Sequence, residues 1–330
     1  MGSTQSAVQV EDYAVGGLSF FGLLPCPVKV PFEDYFRTFA RRTFTEKGRR
    51  LAYYIEANSN HHVSFRQYLN TIQDPDQLPD ILLAPGYNMF FEKHFQERFI
   101  DTGIYVDRLN YEPTLLKNGL RDPDGRYSLL AMNTLVIMAD ESRAPFLPES
   151  WDDLLDERLT KQVAIRGDGK TFCDAVLTYF DKHYGEDGIR RLARTVKDGM
   201  HPAQAAQSLS HPKPEQPSVY VLPYFYARTV QNPQTRIIWP KEGALLNPIF
   251  LLVKADKAEE HKEILDFLAG PETAAAFNCA GFFSTGADAE QKQVKDRTYN
   301  WIGWDYLRNP DIGAVLKGLN PLFLQYRSAQ

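Results

Sequence analysis

Within residues 17–84, short apolar runs alternate with amphipathic segments, and this alternation indicates the fold class. The apolar runs are GLSFFG (17–22), LAYYIEA (51–57) and PDILLA (79–84), and the amphipathic segments are PFEDYFRTFARRTFT (31–45) and FRQYLNTI (65–72). Aromatic residues at helical spacing, with Pro31 in the first turn, predict a helix over 31–45. Strand, helix, strand, helix, strand at this spacing predicts βαβ units and a parallel sheet covered on both faces.

A second α/β series follows the long apolar run YSLLAMNTLVIMA (127–139). Later strands are predicted at 162–165, 218–222, 236–239 and 247–254, and helices at 171–184, 188–198, 258–268, 272–279 and within 301–324. The polar stretch 202–217 contains four prolines, which predicts a loop. The chain is therefore expected to be an α/β protein.

Composition narrows the classes of function. The chain has 330 residues, 37 basic and 42 acidic, and a net charge of −5, which argues against a general nucleic-acid or anionic-membrane binder. Three separated cysteines provide neither a disulfide framework nor a metal knuckle. No apolar run is long enough for a membrane helix, and the first residues lack the pattern of a secretory leader.

Four segments appear in a characteristic order: LPDILLAPG (78–86), PESWDDLLDERLTKQV (148–163), VLPYFYA (221–227) and WPKEGALLNPIFLLVKADKAEEHKEILDFLAGPETAAAF (239–277). Together they resemble the type II periplasmic solute-binding proteins of ABC importers. The tyrosine-bearing third segment is similar to that of the ferric-iron-binding members.

The resemblance implies two α/β lobes joined by hinge strands at 127–139 and 247–254. Residues 1–134 and 247–330 would form lobe 1 and residues 135–246 lobe 2. It also implies a non-catalytic protein that closes on a metal ion or small oxyanion, works with an ABC permease and needs no resident cofactor beyond a metal bound as ligand. We expect a monomer located in the periplasm if a leader has been removed, with the cytoplasm as the alternative.

Ligands of open α/β sheets bind beyond the carboxyl ends of strands, so the loops there supply the predicted site. The predicted ligand-binding residues are Tyr87, Asn88, Asn133, Arg166, Gly169, Lys170, Thr171, Tyr224, Tyr226 and Glu242. In the loop RGDGKT (166–171), two glycines, two cations and a following helix are typical of an anion cradle.

Other residues near the predicted cleft carry chemistry too. By the resemblance, Tyr224 and Tyr226 would be metal ligands, although the adjacent tyrosine pair of the iron binders is interrupted by Phe225. Cys26 in LPCP (24–27) is interpreted as a small buried filler rather than a thiolate ligand. His61 and His62 are adjacent on a loop and are not expected to bind metal.

Two alternative functions remain at this stage. AIRGDGKT (164–171) follows a strand, precedes a helix and loosely matches a phosphate-binding loop, and LVIMADE (135–141) resembles the acidic strand of such enzymes. That acidic strand precedes the loop, the reverse of the usual order. A cytosolic enzyme on the same two-lobe fold is the second alternative, although no nucleophile elbow or catalytic triad pattern supports it.

Overall fold

The structure is a computed structural model that describes residues 17–57, 65, 67–87, 90–113, 116, 119–286 and 297–328. Predictions that involve Asn88, His61 and His62 therefore lie outside the described residues. No helix within these ranges is long and apolar enough to cross a membrane.

One mixed sheet runs through the described part of the chain, with main strand order β2-β1-β3-β9-β4-β7-β5-β6, and β8 and β10 beside β4 and β11 beside β9. The strands are β1 (Phe20–Leu24), β2 (Tyr53–Ala57), β3 (Ile81–Pro85), β4 (Ser128–Asp140), β5 (Val163–Arg166), β6 (Val196–Met200), β7 (Val219–Pro223), β8 (Thr235–Ile238), β9 (Ala244–Val253), β10 (Phe283–Ser284) and β11 (Tyr299–Asn300).

Helices cover both faces of this sheet, which explains the nearly continuous apolar strands. They are α1 (Cys26–Thr43), α2 (Lys93–Phe95), α3 (Asp174–Thr195), α4 (Pro202–Ser210), α5 (Tyr224–Ala227), α6 (Lys262–Ala269), α7 (Pro271–Cys279), α8 (Trp304–Leu307) and α9 (Ile312–Ser328). Shorter turns are Thr45–Lys47, Pro75–Gln77, Gln96–Ile100, Asp152–Leu155 and Glu157–Leu159.

The two long strands β4 and β9 pair antiparallel at the centre, and every residue of both is buried. Strands β1, β2 and β3 are parallel to one another on one side, and β5, β6 and β7 on the other. Both predicted hinge segments are therefore the central strands of an α/β fold, and the predicted fold class is confirmed.

The register brings the carboxyl ends of the two parallel sets towards each other. Pro85, the last residue of β3, lies opposite Ile249 of β9. Pro223, the last residue of β7, lies opposite Leu135 of β4. Because β3 and β7 approach the middle of the central pair from opposite ends, their terminal loops face a common space there.

Residues 202–217 correct the sequence analysis, because the predicted loop begins with helix α4. Pro202 occupies the first helical position, where its fixed φ favours a helix start. His201 caps that turn by accepting a hydrogen bond at Nδ1 from the Ala203 amide, 3.2 Å away. Ala205, Ala206 and Leu209 bury the inner face. The number of prolines in this stretch therefore led to the wrong prediction of a loop where a capped helix begins.

The two helices predicted over 171–184 and 188–198 are present as the two parts of α3, which are separated at Gly185, where φ is +57° and the backbone is not helical. The second part ends at Thr195 instead of residue 198, and the next five residues form strand β6, which corrects that boundary. The division into lobes stays a prediction. The last helix, α9, belongs to predicted lobe 1 and packs against α3, which belongs to predicted lobe 2.

Candidate functional site

A cavity of about 130 Å³ lies at the middle of β4 and β9, where the carboxyl ends of the parallel strands face each other. Its wall comes from both sides of the sheet and from the central strands: Pro25, Cys26, Pro27, Pro85, Asn133, Arg166, His201, Pro202, Pro223, Phe225, Tyr226, Asn247, Ile249 and Phe282. We call this space the cleft cavity. Its position agrees with the usual location of ligands in open α/β sheets.

Two asparagines stand opposite each other in the floor of the cleft cavity. Asn133 of β4 and Asn247 of β9 are direct cross-strand partners, and each side chain is only 7% exposed. Within the described chain, neither amide forms a side-chain hydrogen bond, and Asn247 Oδ1 is fully buried without a partner. Since buried polar groups are normally hydrogen-bonded, the unpartnered Asn247 Oδ1 makes this pair a candidate contact for a ligand.

Arg166 and Tyr226 face the same cavity from β5 and α5. No ion pair or side-chain hydrogen bond engages the Arg166 guanidinium or the Tyr226 hydroxyl among the residues that the structure describes. Burial raises the pKa of Tyr226 and Cys26 raises it further, while the charge of Arg166 opposes both. Tyr226 is therefore a neutral phenol near a permanent cation and a cysteine thiol.

His201 adds a further polar group to the cavity wall. Its Nδ1 accepts the α4 capping hydrogen bond, so the neutral ring carries its proton on Nε2. The ring lies edge-to-face against Tyr226, with 6.3 Å between the ring centroids. The cap thus fixes the ring orientation of His201 beside the cavity.

The two predicted metal-ligand tyrosines point away from each other. They are separated by one residue on the short helix α5, which places their side chains on opposite faces. Tyr224 packs against Trp239 and against the Arg297 guanidinium, whose carbon lies 4.8 Å from the Tyr224 ring centroid. Only Tyr226 lines the cleft cavity, so the structure does not bring the pair together around one ion.

In the predicted anion cradle at 166–171, the backbone groups of Lys170 and the amide of Thr171 already have hydrogen-bond partners within the protein. The Asp168 carboxylate accepts hydrogen bonds from the amides of Lys170 and Thr171, at 2.9 and 2.6 Å, and from the Thr171 hydroxyl at 2.8 Å. Asn320 of α9 donates to the Lys170 carbonyl at 2.8 Å. Of this loop only Arg166 lines the cavity, while Gly169, Lys170 and Thr171 lie outside it.

This arrangement also bears on the phosphate-loop alternative. A phosphate at these amides would have to displace the Asp168 carboxylate, which already occupies the position of an anion. The acidic Glu141 of the second motif forms an ion pair with Arg236 rather than facing the loop.

Two further predicted site residues support the framework around the cavity. Tyr87 is 1% exposed and donates from its hydroxyl to the Leu246 carbonyl, 3.1 Å away. Glu242 accepts a hydrogen bond at Oε2 from the Trp151 amide at 3.2 Å. The Trp151 indole N–H donates to the Gly243 carbonyl at 2.8 Å. Neither Tyr87 nor Glu242 lines the cleft cavity.

The family model of the bacterial extracellular solute-binding proteins matches residues 76–310, which is well over half of the chain and includes both central strands. The chain belongs to this family. It is therefore related to binding proteins rather than to enzymes, in agreement with a cavity lined from both sides of the strand pair β4 and β9. A search of curated proteins finds no match to this solute-binding protein.

Solved structures of other binding proteins share its fold. The apo ferric ion-binding protein A of Pasteurella haemolytica has a TM-score of 0.63 at 14% identity, over 94% of this chain and 97% of that one. A Trichodesmium protein solved with iron and citrate ligands has a TM-score of 0.63 at 12% identity, over 94% and 98%. An ABC transporter structure from Clostridium perfringens has 0.60 at 17%, over 93% and 99%. These TM-scores show that the fold is shared, whereas such low sequence identities do not show which ligand this chain binds.

Three polar wall residues of this solute-binding protein are absent from the predicted site: Asn247, His201 and Cys26. Asn247 is predicted only as the start of a strand, because its pairing with Asn133 requires the register. His201 immediately precedes the stretch predicted as a loop, although His-Pro before an Ala-rich run is a usable helix-start signal. Cys26 is exposed at the first position of α1 rather than buried, which corrects its interpretation as a filler.

Proposed function

We propose that this solute-binding protein captures a small anionic solute in the cleft cavity and delivers it to the membrane permease of an ABC importer. The observation that carries the proposal is a set of polar side chains that have no hydrogen-bond partner among the described residues, contributed by both sides of the sheet and by the central strands. They are Asn133, Arg166, Tyr226 and Asn247. Convergent polar groups within largely apolar walls are the usual composition of a small-ligand site.

Charge favours an anion in this cavity. Arg166 is the one wall residue with a permanent charge, and no carboxylate of the described chain lines the cavity. A guanidinium presents a planar fork of N–H donors that matches a carboxylate or another oxyanion. A bound anion would neutralise Arg166 and accept hydrogen bonds from Tyr226 and His201.

Ferric iron fits these walls less well. A hard trivalent cation needs several anionic oxygen ligands, whereas the cavity offers one tyrosine whose pKa is raised by burial. The described residues also contain no group of three or more His, Cys, Asp or Glu side chains that could hold a metal. Metal binding is therefore the outcome that the experiment below must separate from anion binding.

Closure of the two sides on the solute is the mechanism that we propose for its capture. Strands β4 and β9 cross the cavity floor, and the walls belong to segments on either side of them. Phe225 of α5 approaches the turn after α7 so closely that a Cβ on Gly281 would lie 3.3 Å from the Phe225 amide nitrogen. A solute that contacts both sides stabilises this closed arrangement over an open one.

A thermal-shift panel tests the proposal on the full chain after chelator treatment. The panel contains acetate, lactate, citrate, phosphate, sulfate, ferric citrate and Mg-ATP. A ligand present at about 1,000 times its Kd stabilises the native state by about 4 kcal/mol, which raises the unfolding midpoint measurably. We expect a shift with at least one small oxyanion and none with Mg-ATP.

The matched variants are Arg166→Gln and Lys170→Gln, which remove cations inside and outside the cavity. For the oxyanion that gives the largest shift, Arg166→Gln should weaken binding by about 1.5–3 kcal/mol, the usual contribution of a hydrogen bond to a charged group. Lys170→Gln should leave the affinity unchanged. Equal loss in both variants would contradict the proposal, and so would a shift with ferric citrate that neither citrate alone nor any other oxyanion produces.

A further inference from the structure

We infer that the solute is a small organic acid that carries a hydroxyl group, with its acid group at Arg166 and its hydroxyl at the pair Asn133 and Asn247. This inference rests on the proposed function and adds the chemical class of the ligand. Four observations support it: the arrangement of the two amides, their lack of partners, the single charge of the cavity, and its size and apolar walls.

The amide pair is unusual for its position. Both asparagines lie at the centre of strands that are otherwise almost entirely apolar and buried. They are directly opposite each other, and each is more than nine-tenths buried. Because an unpartnered buried polar atom destabilises the folded state, Asn247 Oδ1 beside the Asn133 amide at the cavity floor indicates a ligand group that completes its hydrogen bonding.

A hydroxyl suits this pair better than a charged group does. Each side-chain amide offers one acceptor oxygen and a donor NH2 group. A carboxylate only accepts hydrogen bonds and an ammonium only donates them, so each would leave part of the pair unsatisfied. A hydroxyl both donates and accepts, so it can donate to the oxygen of one amide and accept from the NH2 group of the other.

The remaining walls limit the size and charge of the molecule. Arg166 supplies one positive charge, which matches one acid group. Ile249, Phe225 and Phe282 provide apolar surface for a short hydrocarbon portion. The cavity volume of about 130 Å³ is well below the roughly 300–1,000 Å³ of pockets for drug-sized ligands. A short hydroxy acid has this combination of one charge, one hydroxyl and a few carbons.

The test compares acids that differ only in the hydroxyl, by isothermal titration of the full chain. The pairs are lactate against propionate, with both lactate enantiomers, and 3-hydroxybutyrate against butyrate. We expect the hydroxy acid of at least one pair to bind about tenfold or more tightly than its deoxy partner, because the deoxy acid leaves the amides unpaired.

Variants locate the effect. Asn247→Leu and Asn133→Leu should each reduce the preference for the hydroxy acid to less than about threefold and keep the binding of the deoxy acid. Arg166→Gln should weaken both members of a pair to a similar degree. Thermal unfolding of each variant checks that it folds. If one leucine variant does not fold, the comparison of hydroxy and deoxy acids with the wild-type protein still tests the inference.

Three results would overturn the inference, and only the last of them would also overturn the proposed function. Equal affinity for hydroxy and deoxy acids in the wild type would overturn it alone, since the anion site at Arg166 would still hold. A hydroxyl preference that survives both leucine variants would do the same. Failure of every oxyanion in the thermal-shift panel would remove the proposed function and this inference with it, which makes the two failures distinguishable.

Discussion

The cleft cavity and the adjoining loop at 167–171 contain similar kinds of residues but differ in what their polar groups contact. In the loop, the amides of Lys170 and Thr171 donate to Asp168, and the Lys170 carbonyl accepts from Asn320. In the cavity, the side chains of Arg166, Tyr226 and both asparagines have no such partners within the described residues. The loop resembles an anion site in sequence, yet the cavity has the free donors and acceptors of one.

The presence or absence of hydrogen-bond partners within the protein, more than residue type, distinguishes a candidate binding site from a structural turn. A satisfied loop contributes to stability, so its substitution should destabilise the fold and leave affinity intact. Polar side chains without protein partners in a cavity can bind a ligand. Substituting such a side chain should therefore reduce the affinity for the ligand and change the free energy of unfolding only slightly. Each expected result below tests one side of this contrast.

The largest effect on stability is expected for Asn320→Ala. Asn320 Oδ1 accepts from the Phe172 amide at 2.9 Å and its NH2 group donates to the Lys170 carbonyl, so α9 holds the loop in place. The variant should lose about 1–3 kcal/mol of unfolding free energy, because two backbone groups lose their partner. Denaturant unfolding measures this, with Lys317→Ala, an exposed position on the same helix, as the control. A weakened affinity of Asn320→Ala for the solute would break the contrast.

A smaller effect is expected for Asp168→Ala. Hydrogen bonds from the Thr171 and Lys170 amides lower the pKa of Asp168. Its stabilising contribution is therefore present above the unfolded pKa, near 4, and is lost as the pH falls through the lower folded pKa. At neutral pH the variant should lose about 0.5–1 kcal/mol, as for a helix cap in a solvent-exposed position.

The difference between wild type and Asp168→Ala should shrink as the pH is lowered towards 3, which urea unfolding at several pH values measures. Asp168→Asn keeps one acceptor oxygen and should retain part of the stability without this pH dependence. A difference that grows on acidification would contradict the role given to the carboxylate.

The two tyrosines of α5 give a matched pair that tests the other side of the contrast, the affinity. Tyr226→Phe removes a hydroxyl from the cavity and should weaken solute binding several-fold, about 0.5–1.5 kcal/mol. Tyr224→Phe alters a ring that packs against Trp239 and should leave the affinity unchanged. Titration calorimetry of both variants with the same oxyanion decides between them. Greater loss in Tyr224→Phe would favour the tyrosine arrangement predicted from the sequence.

The smallest expected effect is a gain in stability. Asn247→Leu replaces an unpartnered buried amide with an apolar group of similar size in an apolar strand. Without ligand, the variant should be as stable as the wild type or more stable by about 0.5–1 kcal/mol. Denaturant unfolding of the ligand-free proteins measures the change. A loss above 1 kcal/mol would mean that Asn247 already has a structural role without solute.

The sequence was sufficient for the fold because alternating apolar and amphipathic segments and the order of four motifs are local signals. It also predicted Asn133, Arg166 and Tyr226, which line the cavity, because each lies on a predicted strand or just beyond its end. Contacts between specific pairs of residues could not be predicted from the sequence. The capture of the loop amides by Asp168, and the opposition of Asn133 and Asn247, depend on loop geometry and on register between segments more than a hundred residues apart.

The most direct test of the central claim uses the cysteine in the cavity wall. Cys26 lines the cleft cavity, whereas Cys279 is exposed and outside it. Alkylation of both thiols is followed by mass spectrometry of the wild-type protein, with and without the oxyanion that binds best. The account predicts that saturating solute slows modification of Cys26 about tenfold or more and leaves Cys279 unchanged, because a solute that fills the cavity and closes the two sides excludes the reagent. Unchanged modification of Cys26 by a protein shown to be saturated would contradict it, since the solute would then bind elsewhere.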